Sequence, residues 1–142
     1  GHLFQEVEIG LVAVDIRDAD LVISILEAGS FASGSAILQD GFGPVIKKIA
    51  SAIHDESGKL LIGGHTDNRP IATEKHRSNW ELSASRAVSV AHQLLLDDKI
   101  DPVRVEIKGH ADTQPLVAND TAENRAKNRR VEIVLDQVGA AN

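Results

Sequence analysis

Apolar and polar residues alternate through LVAVDIRDADLVISI (11–25), interrupted by the polar run Arg17–Asp20. A period of two marks a half-buried strand, so this stretch predicts a strand pair, or one bent strand, around that turn. The small and polar GSFASGSAILQDG (29–41) reads as a loop. Leu38, Phe42, Val45, Ile46, Ile49 and Ile53 then recur at steps of three and four, which predicts an amphipathic helix with Lys47 and Lys48 on its wet side. Gly58 ends that helix, and LLIGG (60–64) is a short strand with little exposed face. Ser78 followed by Glu81 has the spacing of a capping box, opening a helix whose apolar side is Trp80, Ala84, Ala87, Val88, Ala91, Leu94 and Leu95. VRVEIKG (103–109) alternates strictly, with Val103, Val105 and Ile107 inward. Asp120 and Glu123 suit the start of a short helix, and VEIVL (131–135) is a last strand. The order β-α-β-α-β-α-β predicts an α+β sandwich, one mixed sheet of four to five strands packed with helices.

The first fourteen residues fit none of these patterns and are read as a linker or an extra element ahead of a domain spanning 15–136. Gly1-His2, without an initiator Met, suggests a processed or truncated start. Residues 137–142 are read as a frayed tail.

Two stretches nearly repeat: IGGHTDNRP (62–70) and IKGHADTQP (107–115), 45 residues apart. Each ends a strand, and a single helix joins the two. Such a crossover places neighbouring strands parallel, so both Gly-His-x-Asp turns leave the sheet at one rim, where ligands are commonly held. The glycines permit a tight exit and each Asp can bond its own loop, which is the structural reading and the default for the second copy. The first copy invites a functional one. Asn79 and Arg86, seven apart on the next helix, fall on one stripe beside the apolar face, and Asn79 is in the turn facing Asp67. An aspartate for an ammonium and an arginine fork for a carboxylate suit an amino-acid zwitterion.

Composition narrows the alternatives. A net charge of −6 argues against nucleic acid as a partner. There is no cysteine, so neither a disulfide framework nor a thiolate metal site is possible. No apolar run is long enough to span a bilayer. His65, Asp67, His110 and Asp112 could be counted as zinc ligands, which would suit a metal-dependent hydrolase. The ends of neighbouring strands do not by themselves aim four side chains at one point, so neither metal nor cofactor is expected. Ser83 and Ser85 lie within a helix, away from any nucleophile elbow. His54, His76 and His92 read as surface residues, Trp80 as a core anchor, and Arg125, Lys127 and Arg130 as a solvated helix end.

GHTDNRPI, SNWELSASRAVSVAHQLL and GHADTQPLVANDTAENRAKNRRVEI, in this order and with GSFASGSAIL ahead of them, resemble the OmpA-like peptidoglycan-binding domain across roughly residues 20–136. The longer loop and NWELS resemble the periplasmic C-terminal domain of MotB/PomB-type flagellar stator proteins. The resemblance implies non-catalytic binding of the peptidoglycan stem peptide, with Asp67 and Arg86 on the amino and carboxylate ends of diaminopimelate. It also implies roles for Asn79, Thr66 and Leu82 at the site and for Asn128 and Arg129 in propping its loops. The setting it implies is a periplasmic homodimer, carried by a single N-terminal transmembrane helix absent here and joined through it to an ion-conducting membrane subunit. A porin, a lipoprotein or a secretion-system accessory could carry the same domain. Asp67 and Arg86 are nineteen apart, more than in general members of the family, and the extra loop at 68–78 could cover the site.

Overall fold

The computed structural model describes residues 12–137. Most of the expected N-terminal linker and nearly all of the expected tail lie outside the described residues. β1 (Val12–Arg17) begins within the stretch assigned to the linker and turns into β2 (Asp20–Leu26). Then follow α1 (Gly43–Ile53), β3 (Lys59–His65), α2 (Asn79–Leu94), a 3-10 turn (Pro102–Arg104), β4 (Val105–Gly109), α3 (Ala122–Asn128) and β5 (Arg130–Asp136). The strands form one mixed sheet in the order β1-β2-β5-β3-β4, an α+β fold with β3 and β4 parallel and every other pair antiparallel. The hairpin turn is tight: Asp18 and Ala19 both adopt positive φ, 49° and 71°.

Register gathers the core into rows across the sheet. Val14, Ile23, Ile133, Ile62 and Ile107 form one row, and Val12, Ile25, Val131, Gly64 and Gly109 form the next. Against this face pack Val45, Ile46, Ile49 and Ile53 of α1 and Ala87, Val90, Ala91 and Leu94 of α2. The second row carries the constraint on α2. A Cβ on Gly64 would lie 1.9 Å from the Ser83 carbonyl oxygen, and one on Gly109 would lie 2.8 Å from Ala84 Cβ. The helix therefore rests its backbone on two strands, and only glycine leaves room.

Several sequence expectations shift for physical reasons. Leu38 and Phe42 precede α1 instead of belonging to it. Leu38 bridges to Phe31 to close the 29–41 loop, and Pro44 starts the helix, its missing N–H costing nothing in a first turn. That helix ends at Ile53. Gly58 instead turns the chain into β3, at φ 119° and so close to the Asp136 carbonyl that a Cβ would sit 2.6 Å from it. Trp80 is 56% exposed and anchors no core: the glycine contacts draw the Ser83 and Leu82 side of α2 inward and leave Trp80 outside. Val103 belongs to the 3-10 turn, capped by Asp101, and β4 is an edge strand whose Ile107 stays 44% exposed. Ser78 caps α2 by accepting from the Glu81 N–H, while the Glu81 carboxylate reaches the Arg77 N–H, one residue earlier than a capping box requires. Thr121, not Asp120, caps α3, and Asp120 holds the Asn124 amide instead.

The glycine row yields a direct prediction. Gly64→Ala should cost about 3 kcal/mol or more, because the obstructing atom is backbone and cannot rotate away. Gly43→Ala, where a Cβ meets only Gln93 at 3.7 Å, should stay within about 1 kcal/mol of the parent. Urea midpoints of the two variants decide it, and equal midpoints would contradict the packing described.

Candidate functional site

β2 and β3 both run antiparallel to β5, so the exits of β2, β3 and β4 share a rim with the entry to β5. The Glu27 N–H donates to the Arg129 carbonyl at 3.0 Å, continuing the ladder one step past the strands. His65 pairs with Arg130, which brings Asp67 just beyond the same line. Backbone pairing alone thus brings Glu27, Arg129 and Asp67 together.

Their side chains form an alternating series of charges. Arg86 Nη1 donates to Glu27 Oε2 at 2.7 Å, Arg129 Nε to Glu27 Oε1 at 2.9 Å, and Arg129 Nη1 to Asp67 Oδ2 at 2.8 Å. The other oxygen, Asp67 Oδ1, accepts the Arg69 N–H at 2.9 Å. Burial works against the charge of Arg129, but the hydrogen bond it donates to Asp67 and the proximity of Glu27 outweigh it and hold that guanidinium above its ordinary value.

Arg86 is the deeper of the two, with 2% of its surface exposed. Besides Glu27 it binds the Ser35 carbonyl through Nε at 2.7 Å and the Ala32 carbonyl through Nη2 at 3.2 Å, and its guanidinium lies 4.9 Å from the centre of the Phe31 ring. It therefore lies within the packed face of α2, and not beside that face as its spacing from Asn79 suggested. It ties the 29–41 loop to the helix.

These groups line a pocket of about 450 Å³. Of the residues anticipated at the site, Asp67, Arg86, Asn79, Thr66, Leu82 and Arg129 line it together. Asn79 donates to the Arg69 carbonyl at 2.9 Å and so holds the start of the 68–78 loop. Arg69, Pro70 and Ile71 of that loop form one wall. Ile71 reaches the opposite loop, where a Cβ on Gly34 would lie 3.3 Å from its Cδ1. Asn128 stands apart: fully buried, it accepts from the Leu116 and Val117 N–H groups and donates to the Val117 carbonyl and Asn119, folding the 116–119 loop.

Glu27 was not anticipated: it carries no motif, and only the strand order sets it, one residue past β2, at the same rim. A second charged group was also missed. Arg130, expected to be solvated, is 3% exposed and donates to Glu132 at 2.8 Å, with Arg17 on the same carboxylate at 2.8 Å. Burial raises the Glu132 carboxyl, but bonds from Arg17 and Arg130 outweigh it and leave the group below its ordinary value. Beside this cluster the rings of His65 and His110 stack at 4.7 Å over Gly63, whose missing side chain gives them space. Parallel stacking does not converge their nitrogens on one ion. Among the described residues no group of three or more His, Cys, Asp or Glu could hold a metal. His54 and His76 are not simple surface residues either: His54 bonds Asp97 at 2.8 Å, and His76 is buried.

A profile of the OmpA family matches residues 30–129. Motility protein B of Bacillus subtilis (strain 168) is 38% identical over 122 residues, covering 85% of this chain and 47% of that protein. The chain spans about half the length of the first curated relatives it matches. A solved cell wall anchor of the type VI secretion system (T6SS) from Pseudomonas aeruginosa is 41% identical with a TM-score of 0.86, covering 94% of this chain and 92% of that one. The periplasmic domain of Helicobacter pylori MotB (residues 97–256) aligns at 25% identity with a TM-score of 0.78, covering 91% and 92%.

The buried histidine makes stability depend on pH. Burial first, and then the positive Arg130, push His65 down to about 4 from the ordinary 6.5. The unfolded chain therefore takes up a proton near pH 6.5 that the folded chain refuses until about pH 4. Stability is intact above that window and falls as pH drops through it, by about 1.4 kcal/mol per unit at most. Urea midpoints measured from pH 7 to pH 4 should show this loss, and His65→Gln should flatten it; equal slopes in parent and variant would assign the loss to other groups.

Proposed function

The chain belongs to the OmpA family, and on that premise we propose that it is a non-catalytic module that binds the peptidoglycan stem peptide and anchors an envelope complex to the cell wall. The observation that carries this reading is the pocket itself: Asp67 and Arg86, nineteen residues apart, line one cavity with Glu27 and Arg129 alternating between them. An amino-acid zwitterion presents an ammonium and a carboxylate a few ångströms apart, and a wall of alternating charge matches both ends. The ammonium goes to Asp67, displacing part of its bond with Arg129, and the carboxylate goes to the guanidinium side of the pocket floored by Arg86. Leu82 supplies an apolar wall, Thr66 keeps the Asp67 turn rigid by donating to the Asp67 carbonyl, and Asn79 holds the loop wall in place. Asn128 supports the neighbouring loop at one remove.

For the parent assembly, we propose a flagellar stator: a periplasmic homodimer joined to an ion-conducting membrane subunit through an N-terminal transmembrane helix. The similarity to Bacillus subtilis motility protein B supports this. No helix among the described residues is long and apolar enough to cross a membrane. A second reading has its own support, since the cell wall anchor of the type VI secretion system is 41% identical over nearly the full chain. In that case the same wall-binding pocket serves a secretion machine.

Two experiments separate these levels. The purified chain should co-sediment with peptidoglycan sacculi, and Asp67→Ala should bind at least tenfold more weakly, the loss of one charge-assisted contact worth about 1.5–3 kcal/mol. Arg129 keeps Glu27 in that variant, so the fold should persist by circular dichroism. Equal pelleting of variant and parent would remove Asp67 from the site. A chimera carrying this domain in place of the matching region of Bacillus subtilis motility protein B should restore swimming. A chimera that binds sacculi without restoring swimming would favour the secretion reading.

A further inference from the structure

Strand β4 has a neighbour on one side only among the described residues. The alternation of a parallel ladder fixes which of its backbone groups are engaged. The His110 N–H donates to the Gly64 carbonyl at 2.9 Å, so the even-numbered residues turn their N–H and C=O groups toward β3. Val105, Ile107 and Gly109 therefore turn theirs outward. The Val105 N–H is taken by the Pro102 carbonyl. Among the described residues, Ile107 is left with both groups free to pair at the edge, together with the Gly109 N–H and the Val105 carbonyl.

An open edge of this kind pairs with any extended chain unless its side chains discriminate. Here they do. Glu106 and Lys108 flank Ile107, and all three are exposed. If a second copy of β4 pairs antiparallel about Ile107, Ile107 opposes Ile107 in a hydrogen-bonded pair and exchanges two bonds with it. The Gly109 N–H of each copy meets the Val105 carbonyl of the other, giving two more. Glu106 of each copy then lies directly opposite Lys108 of the other, in the closely spaced non-hydrogen-bonded positions where opposite charges attract and like charges repel. The edge is thus complementary to itself under a two-fold axis, as an isologous contact requires. The present partner of Glu106, Lys59 at 3.3 Å, is a solvent-exposed pair that contributes little and yields readily.

We infer that the β4 edge is the surface through which two copies of this chain associate, joining their sheets into one continuous ten-stranded sheet. This deepens the homodimer reading above and is independent of what the rim pocket binds. The contact is small, so association is expected to be weak in the isolated chain and to depend on concentration.

Sedimentation velocity on the full chain, up to about 1 mM, tests it. The parent should shift from monomer to dimer as concentration rises. Glu106→Lys places lysine opposite lysine, and Lys108→Glu places glutamate opposite glutamate, so each variant alone should remain monomeric. Mixed in equal amounts, the two restore both attractive pairs and should form a one-to-one heterodimer. These side chains are exposed, so unchanged circular dichroism is expected for both variants. If the parent dimerises and each variant does so equally well, the dimer stands and β4 is not its surface. A parent that stays monomeric at the highest concentration overturns the proposed surface, and a mixture that stays monomeric overturns the proposed register.

Discussion

The approach of α2 to Gly64 and Gly109 is the contact on which the rest of this molecule turns. Two glycines in one row of the sheet let a helix backbone lie where no side chain fits, and that contact sets the height and rotation of α2. Everything the helix carries inherits that placement. Ser83 accepts the Ala111 N–H and so ties the second Gly-His-x-Asp turn to the helix. One turn further along, Arg86 is set down among the carbonyls of the 29–41 loop. The repeated glycine motif is therefore one solution used twice, once on each strand that the helix crosses.

From that placement follows the arrangement at the rim. Arg86 is too deeply enclosed to be held by solvent, and its charge is balanced by Glu27. Glu27 is in turn shared with Arg129, and Arg129 with Asp67. A buried guanidinium without a carboxylate would be strongly unfavourable, so the series is coupled: moving one member changes the balance for the next. In the binding mode proposed above, a ligand ammonium at Asp67 would compete with Arg129, which would still have Glu27 to turn to. The proposed exchange swaps an internal partner for an external one without leaving a bare charge.

Much of this was legible in the residues. Alternation located both strands of the first hairpin, the period of α1 from Val45 onward was clear, and the matching turns implied two parallel strands with a common rim. The pairing of Asp67 with Arg86 in one pocket could be argued from spacing as well as from resemblance. What could not be read depended on contacts distant in sequence. The inward rotation of α2, which exposes Trp80, follows from a backbone contact that hydropathy does not register. Arg130 resembled a helix-end cation because its local sequence is basic, yet strand alternation with Glu132 and Val134 would have placed it on the sheet face. Glu27 carried no motif at all, and only the strand order reveals it as a neighbour of Arg129.

The proposed role of the rim is that its alternating charges take a zwitterion. Its most direct test is an NMR titration of the arginine Nε–H resonances with a soluble stem peptide carrying diaminopimelate. Saturable shifts at Arg129 and Arg86, with Arg17 and Arg104 unmoved, are the predicted result. Binding that leaves Arg129 and Arg86 silent, or that perturbs only the distant arginines, would place the ligand elsewhere and contradict the account.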